Sequence, residues 1–285
     1  MLAAWETLAV VTPRDDRVLP ATRLLAIVVI PALVAAVTVL LGFPSETQHL
    51  FAWPIAGKAH MSAFALAIAY TAGLYYFVRL LSARRWHRIG AGLLAIGAFV
   101  SVEAAATIIH WNKFTHDNPV FWIWSFLYFT TPLLVPFLWW RNRKTDPGTP
   151  EEGDAVVPRA ARLAFLAAGV SQLAIAIYLL FWPKSAIGIW PWTITQLTAR
   201  STAGWFALGF IGVMLARETR WSGTRLLVQT MLVGTAVAIF SVIRAWGEFD
   251  TGRVATWLFV AAIAAGAIQL SFLYVMMERR LQPST

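Results

Sequence analysis

Long apolar runs, separated by short polar segments, organise this chain from residue 24 onward. Eight of them are about 20 residues long: 24–43, 61–81, 90–111, 120–140, 162–182, 198–216, 224–246 and 256–277. At about 1.5 Å of rise per helical residue, each run is long enough to cross a hydrocarbon core about 30 Å thick. Backbone polar groups in lipid must be satisfied within their own segment. The pattern therefore predicts an all-α integral membrane protein with eight transmembrane helices.

The aromatic positions predict an internal duplication. One constant shift in numbering, the first alignment, pairs four of them between the halves: Trp86 with Trp221, Trp111 with Trp246, Phe114 with Phe249, and Trp122 with Trp257. A slightly longer shift, the second alignment, pairs Phe43-Pro44 with Trp182-Pro183 and Trp53 with Trp192. Repeats with an even number of helices share one orientation. We therefore predict two parallel tandem four-helix repeats, residues 24–144 and 159–280.

Three polar segments complete the predicted organisation. Residues 1–23 are expected to be a cytoplasmic N-terminal segment with a short interfacial helix held by Trp5 and Leu8. Residues 145–158 are acidic and rich in Pro and Gly, which predicts a mobile cytoplasmic linker between the repeats. Residues 281–285 form a short tail.

The positive charges predict the orientation. If the N-terminus is cytoplasmic, 17 of the 23 Lys and Arg residues fall on the cytoplasmic side. The other side keeps only Lys58, Lys113, Lys184, Arg200, Arg244 and Arg253. This asymmetry follows the positive-inside rule and predicts a multi-pass protein of the cytoplasmic membrane with both termini inside. The net charge of +9 is thus interpreted as a topology signal rather than a nucleic-acid surface.

The composition narrows the possible chemistry. The chain has no cysteine, which excludes disulfides, thiolate metal ligands and a Cys nucleophile. It has 15 tryptophans, and most of them fall at predicted membrane interfaces, as an aromatic belt requires. An aromatic-lined outer mouth for an apolar or cationic ligand is the alternative interpretation.

The candidate polar site is a stripe on the third predicted helix. Glu103, Thr107 and His110 stand at positions i, i+4 and i+7, which places them on one helical face. An ionisable group within the membrane is costly and indicates a partner or a functional site. The predicted partners of Glu103 are Arg200 and Arg244, near the outer ends of two helices of the second half. The stripe is either a buried pair that docks the halves or a ligand, proton or substrate site.

Two histidines leave a cofactor open. His60 begins the second predicted helix and His110 ends the third, so the two imidazoles can stand at one level, as a b-type haem requires. Four histidines with nearby loop carboxylates also permit a metal ion. The spacings typical of zinc sites are absent from the sequence, so we assign no metal ligands.

Two short motifs carry a resemblance. The runs Trp190-Pro191-Trp192-Thr193 with Leu197-Thr198-Ala199-Arg200, and His110-Trp111 with Phe114, resemble those of a set of uncharacterised bacterial polytopic membrane proteins. The resemblance implies a membrane protein and no activity, substrate or cofactor.

Because the predicted helices carry few charges and the sequence contains no catalytic constellation, we favour a role without catalysis. The leading hypothesis is a binding or accessory subunit that holds an apolar molecule of lipid or quinone type, or packs against a larger membrane complex. One alternative is a transporter that uses the repeat interface, with Glu103 as the coupling site. Another is a membrane redox or lipid-modifying enzyme with a His/Glu site at the outer face. The expected partners are membrane lipid and another membrane protein or a second copy of the chain, and no nucleic acid.

Overall fold

The computed structural model describes residues 14–54 and 59–281, and its secondary structure there is helical. Eleven α-helices occur in these ranges: α1 Pro20–Val37, α2 Thr47–Leu50, α3 His60–Ser82, α4 Gly90–Ile109, α5 Pro119–Asn142, α6 Arg159–Phe181, α7 Pro183–Ile189, α8 Gln196–Ala207, α9 Phe210–Leu215, α10 Trp221–Arg244 and α11 Val254–Glu278. The described residues contain no β-strand. The predicted all-α class is therefore confirmed. The interfacial helix expected around Trp5 and Leu8 lies outside the described residues.

Seven helices are long and apolar enough to cross a membrane. They are α1 with its extension to Gly42, α3, α4, α5 with its extension to Thr145, α6, α10 and α11. Large apolar side chains on their outer faces are exposed, among them Leu133, Ile243 and Phe272. Apolar surface of this extent is typical of helices that face lipid. Seven of the eight predicted runs therefore match helices that could cross a membrane.

The run at residues 198–216 differs from the prediction in that it is not one continuous helix. It forms α8 and α9, which are separated at Leu208 and Gly209. The amides of these two residues bond to carbonyls three positions back, in the tighter 3₁₀ pattern. The glycines explain the position of the break. A Cβ on Gly169 of α6 would lie 2.5 Å from the carbonyl oxygen of Gly209 and 3.0 Å from Cα of Gly212. Small residues thus bring the two backbones into direct contact.

The helices form a central group and an outer group. α3 packs against α1, α8 and α10, and α4 packs against α5, α8 and α9. α6 covers α8 and α9, and α11 covers α10. Each of the seven long helices contains an apolar stretch of 18 residues, and the percentage of that stretch that is buried differs between helices. It is 56% in α3 and 50% in α4, but only 17% in α6 and 6% in α11. The centre of the fold is therefore built from α3, α4, α8 and α10.

The linker at residues 145–158 is anchored, in contrast to the mobile connector predicted from its composition. Asp146 accepts hydrogen bonds from Arg220 at 2.9 and 3.1 Å. Glu151 pairs with arginines that follow α3, and Asp154 accepts from the Ser222 hydroxyl at 2.6 Å. Composition predicted the loop correctly but not its binding partners, because those arginines and Ser222 are distant from the linker in sequence.

Candidate functional site

The polar stripe lies at the contact between α4 and α8. Glu103 and Thr107 are almost fully buried, with 1% and 2% of their surface exposed. The hydroxyl of Ser201 on α8 lies 3.0 and 2.9 Å from the two carboxylate oxygens of Glu103. Gly204, one turn further along α8, leaves room for this carboxylate, since a Cβ there would overlap Oε1 of Glu103. One face of α8 is thus shaped around Glu103.

The predicted ion pairs of Glu103 with Arg200 and Arg244 are wrong. Arg200 donates from Nη1 to Nε2 of His110 at 2.8 Å and from Nε to a backbone carbonyl of α6 at 3.0 Å. Arg244 donates to the carbonyl oxygen of Leu41 at 2.7 Å and lies over the ring of Phe64. The carboxylate, with Ser201 as its partner, forms no ion pair with any described residue.

The contact between His110 and Arg200 fixes the state of the imidazole. A guanidinium can only donate, so Nε2 of His110 must accept and the ring must be neutral. Burial lowers the pKa of His110, and the nearby charges of Arg200 and Lys113 lower it further. His110 therefore joins α4 to α8 as a hydrogen-bond acceptor rather than as a cation.

His60, which the sequence left open as a haem ligand together with His110, has partners of its own in the structure. Its Nδ1 lies 2.8 Å from Glu248, and its Nε2 lies 2.9 Å from the hydroxyl of Ser45. Glu248 also accepts from the backbone amides of His60 and Met61, where a carboxylate favours the start of α3. Nε2 of each histidine is thus hydrogen-bonded to a different partner, Ser45 for His60 and Arg200 for His110. Among the described residues, no group of three or more His, Asp or Glu side chains is placed to hold a metal ion.

A small cavity, lined in part by hydroxyl groups, adjoins the stripe. Its volume is about 10 Å³, and its lining is Trp53, Ser62, Leu66, Thr198, Ser201, Thr202 and Trp205. This space corresponds to about one water molecule. The buried indole Nε1 of Trp53 has no hydrogen-bond partner among the described residues. The hydroxyl that binds Glu103 thus borders a space with an unused donor.

A second, much larger cavity is almost entirely apolar. It measures about 1720 Å³ and is lined by α1, α3, α4 and α5 from the first half and by α6 and α8 to α11 from the second. It reaches the outer surface of the helices, where Ile123, Phe126 and Phe272 are exposed. Pockets for drug-sized ligands measure about 300–1,000 Å³. This cavity is therefore large enough for a long-chain molecule.

Two tyrosines among the lining residues of the large cavity are hydrogen-bonded to each other. The hydroxyls of Tyr70 on α3 and Tyr128 on α5 lie 2.6 Å apart, and both side chains are buried. The ring of Trp124 stands 4.3 Å from that of Tyr128, and the ring of Phe99 stands 5.9 Å from that of Tyr70. Sequence reasoning missed this pair. The only available signal was a tyrosine within each of two apolar runs.

The opposite, arginine-rich end of the molecule holds a second polar cluster that the sequence did not predict. His87 is buried, with Nδ1 at 2.5 Å from Asp16 and Nε2 at 2.8 Å from Glu151 and 3.0 Å from Ser222. Burial raises the pKa of Glu151, but its hydrogen bond with Arg88 and the surrounding positive charges outweigh that effect and lower it. The cluster joins the N-terminal segment, the linker and α10.

Comparison with known proteins adds no functional assignment. No family model, no curated protein and no solved structure matches this chain. The resemblance to uncharacterised bacterial membrane proteins therefore stays a prediction from its motifs.

Proposed function

We propose that this protein binds an apolar molecule of lipid or quinone type within the membrane. The observation that carries the proposal is the cavity of about 1720 Å³ with its predominantly apolar lining. Apolar pockets with a few convergent polar groups are the usual form of ligand sites. The Tyr70–Tyr128 pair is such a group. The bound molecule serves either this protein alone or a larger membrane complex that it joins as an accessory subunit.

The state of the polar stripe supports binding rather than catalysis. The carboxylate of Glu103 is engaged by Ser201, and the imidazole of His110 is engaged by Arg200. Both interactions join α4 to α8, so they dock the two halves of the chain. The stripe thus has a structural role, because its hydrogen bonds hold α4 against α8.

We further propose eight spans in two parallel repeats, with α8 and α9 together forming the sixth span. Three contacts recur between residues that the two alignments of the halves make equivalent: Trp86 N to Asp16 O and Trp221 N to Ala155 O; Thr115 N to Ala52 O and Asp250 N to Pro191 O; Trp122 Nε1 to His116 O and Trp257 Nε1 to Thr251 O. A duplicated four-helix unit accounts for such pairs, because equivalent residues then keep equivalent partners.

The proposed orientation places both termini in the cytoplasm and the protein in the cytoplasmic membrane. Trp221 donates to Glu278 at the end of α11, and Trp86 donates to Asp16 at the start of the described chain. His87 and Ser222, the residues that follow Trp86 and Trp221, are hydrogen-bonded to each other, so the two ends of the described chain lie on one side of the molecule. The arginines that pair with the linker are on this side, and they favour the cytoplasm. A protease-cleavable tag after Thr285 should be cut only in permeabilised cells. Cleavage of the tag in intact cells would contradict this orientation.

A transporter is the second candidate function. The break between α8 and α9 lies close to Glu103, and interrupted helices beside an ionisable group are typical of secondary transporters. The small cavity beside Ser201 provides the beginning of a path for water. In this alternative, Glu103→Gln abolishes coupled transport, whereas the binding function tolerates the substitution.

Filling the large cavity tests the proposed function. Gly73 and Gly266 line it in different halves, and a Cβ at either position meets nothing closer than 3.8 Å. We expect the double variant Gly73→Leu/Gly266→Leu to retain several-fold less apolar compound, measured by organic extraction of the purified protein and mass spectrometry. Gly188→Leu is the matched control, because Gly188 also has open space but does not line the cavity. Equal recovery from all three proteins would show that only lipid from the detergent shell was measured.

A further inference from the structure

The two tyrosines of the large cavity have one more proton than they use. Each phenol can donate one hydrogen bond. The contact between Tyr70 and Tyr128 at 2.6 Å uses one of the two protons, whichever residue donates it. No other hydrogen bond reaches either oxygen from residues 14–54 or 59–281. One phenol proton therefore has no acceptor within these ranges of the chain.

The position of this unused donor points to a ligand. Tyr70 and Tyr128 are 4% and 6% exposed, and both line the large cavity. A buried donor without an acceptor is unfavourable. A carbonyl oxygen on a molecule in the cavity would accept the spare proton and remove that cost.

The surroundings of the pair favour a planar ring. Phe99 and Trp124 also line the cavity, and both pack against the two tyrosines. Phe51, a further lining residue, packs against Trp124. Trp124 stands nearly perpendicular to Phe51, at 4.8 Å between ring centres. Such aromatic edges and faces pack well against a flat ring, whereas a saturated acyl chain needs only aliphatic contact. The aliphatic part of the lining, on α1, suits a tail.

We propose that the Tyr70–Tyr128 pair is the headgroup site for a quinone-type ligand, a planar ring with carbonyl oxygens and a long apolar tail. The inference rests on the proposed function and names the ligand of that same cavity. The second alignment of the halves pairs Tyr70 with Gly209, and the first pairs Tyr128 with Ile263, so neither counterpart carries a hydroxyl. We therefore expect one ring site per chain.

The test is a titration of the purified full-length protein in detergent, followed by tryptophan fluorescence. The first probe is a 1,4-benzoquinone with a ten-carbon tail, and the second is decylbenzene, which has the same tail and a ring without oxygen. We expect Tyr70→Phe/Tyr128→Phe to weaken quinone binding about tenfold, as loss of one buried hydrogen bond does, and to leave decylbenzene binding unchanged. Each single variant should keep most of the affinity, because the remaining hydroxyl still has its own proton.

Tyr75→Phe is the matched control. Tyr75 lies on α3, as Tyr70 does, but it does not line the large cavity, and its hydroxyl already donates to Oε1 of Gln229 at 3.1 Å. Quinone affinity that is equal in the wild type and the double variant overturns the headgroup site, as does an equal loss in Tyr75→Phe. If decylbenzene binds the wild type but the quinone gains nothing from the tyrosines, only this inference fails. If neither probe binds the wild type, the proposed function fails with it.

Discussion

Arg220→Ala should destabilise the folded protein by about 3–5 kcal/mol, the range found when one partner of a buried ion pair is removed. The Arg220 side chain is 10% exposed and contacts both oxygens of Asp146 and of Glu218. Its hydrogen bond with Glu218 and its contacts with Asp146 raise the pKa of Arg220. Alanine would leave two partly buried carboxylates beside each other with no cation between them.

The measurement is the temperature at which the purified protein loses its monodisperse elution profile. Arg17→Ala is the control, because the pair of Arg17 with Asp15 is exposed on both sides and such pairs contribute little. Arg220→Lys should fall between the wild type and Arg220→Ala, since an ammonium cannot form the same forked contacts. Equal stability of Arg220→Ala and Arg17→Ala would contradict the anchored linker.

The contribution of the Arg220–Asp146 pair to the stability of the folded protein should also depend on pH. Burial raises the pKa of Asp146, but its hydrogen bond and the charge of Arg220 outweigh burial and hold the pKa below its ordinary value. The folded state therefore binds a proton at Asp146 less readily than the unfolded state does. The stabilisation is complete above the ordinary carboxylate pKa of about 4 and is lost as the pH falls through the lowered pKa. The stability gap between the wild type and Arg220→Ala should narrow in acid.

Glu103→Ala is expected to cost about 2–4 kcal/mol, whereas Glu103→Gln should be at least as stable as the wild type. Alanine removes the acceptor of the Ser201 hydroxyl and leaves a cavity against Gly204. Glutamine keeps the shape and one acceptor oxygen, and it needs no charge within the membrane. Melting temperatures of the two variants, measured side by side, test the structural role of the carboxylate.

The same two variants separate the candidate functions. If Glu103→Gln is as unstable as Glu103→Ala, the charge itself is required. The interpretation of Glu103 as a hydrogen-bond acceptor that joins α4 to α8 is then wrong. If Glu103→Gln is stable and keeps its apolar ligand, the binding function is supported. A stable Glu103→Gln protein that loses proton-dependent uptake in vesicles would favour the transporter.

Hydropathy was sufficient to predict the seven long helices, because a span in lipid requires about 20 apolar residues whatever its neighbours are. It failed at Leu208 and Gly209 for a physical reason. The break there arises from backbone contact with Gly169 in another helix, and hydropathy has no term for such a contact. The helical character of each run thus follows from its own sequence, whereas the break in this run depends on a tertiary contact.

The sequence predicted which helix carries the candidate site, but not which side chains are hydrogen-bonded to each other within it. The helical spacing predicted Glu103, Thr107 and His110 on one face of a helix, and in the structure Glu103 and Thr107 are buried. Attraction between opposite charges then suggested Arg200 as the partner of Glu103. The structure instead joins Arg200 to His110 within the stripe and gives Glu103 a hydroxyl, because Ser201 and Gly204 present the face that fits a carboxylate.

The tyrosine pair shows the limit of the sequence most clearly. Tyr70 and Tyr128 are 58 residues apart, and neither breaks the apolar pattern around it. Their contact depends on how α3 and α5 meet across the cavity. Without that geometry, two isolated tyrosines do not predict a shared donor site.

An experimental density map of the protein reconstituted in a lipid nanodisc tests the central claim most directly. We predict elongated non-protein density inside the large cavity, with its wider end within hydrogen-bond distance of Tyr70 and Tyr128. A cavity filled by rearranged side chains, or one without ordered density while lipids around the outer helices are resolved, would contradict the proposed binding function.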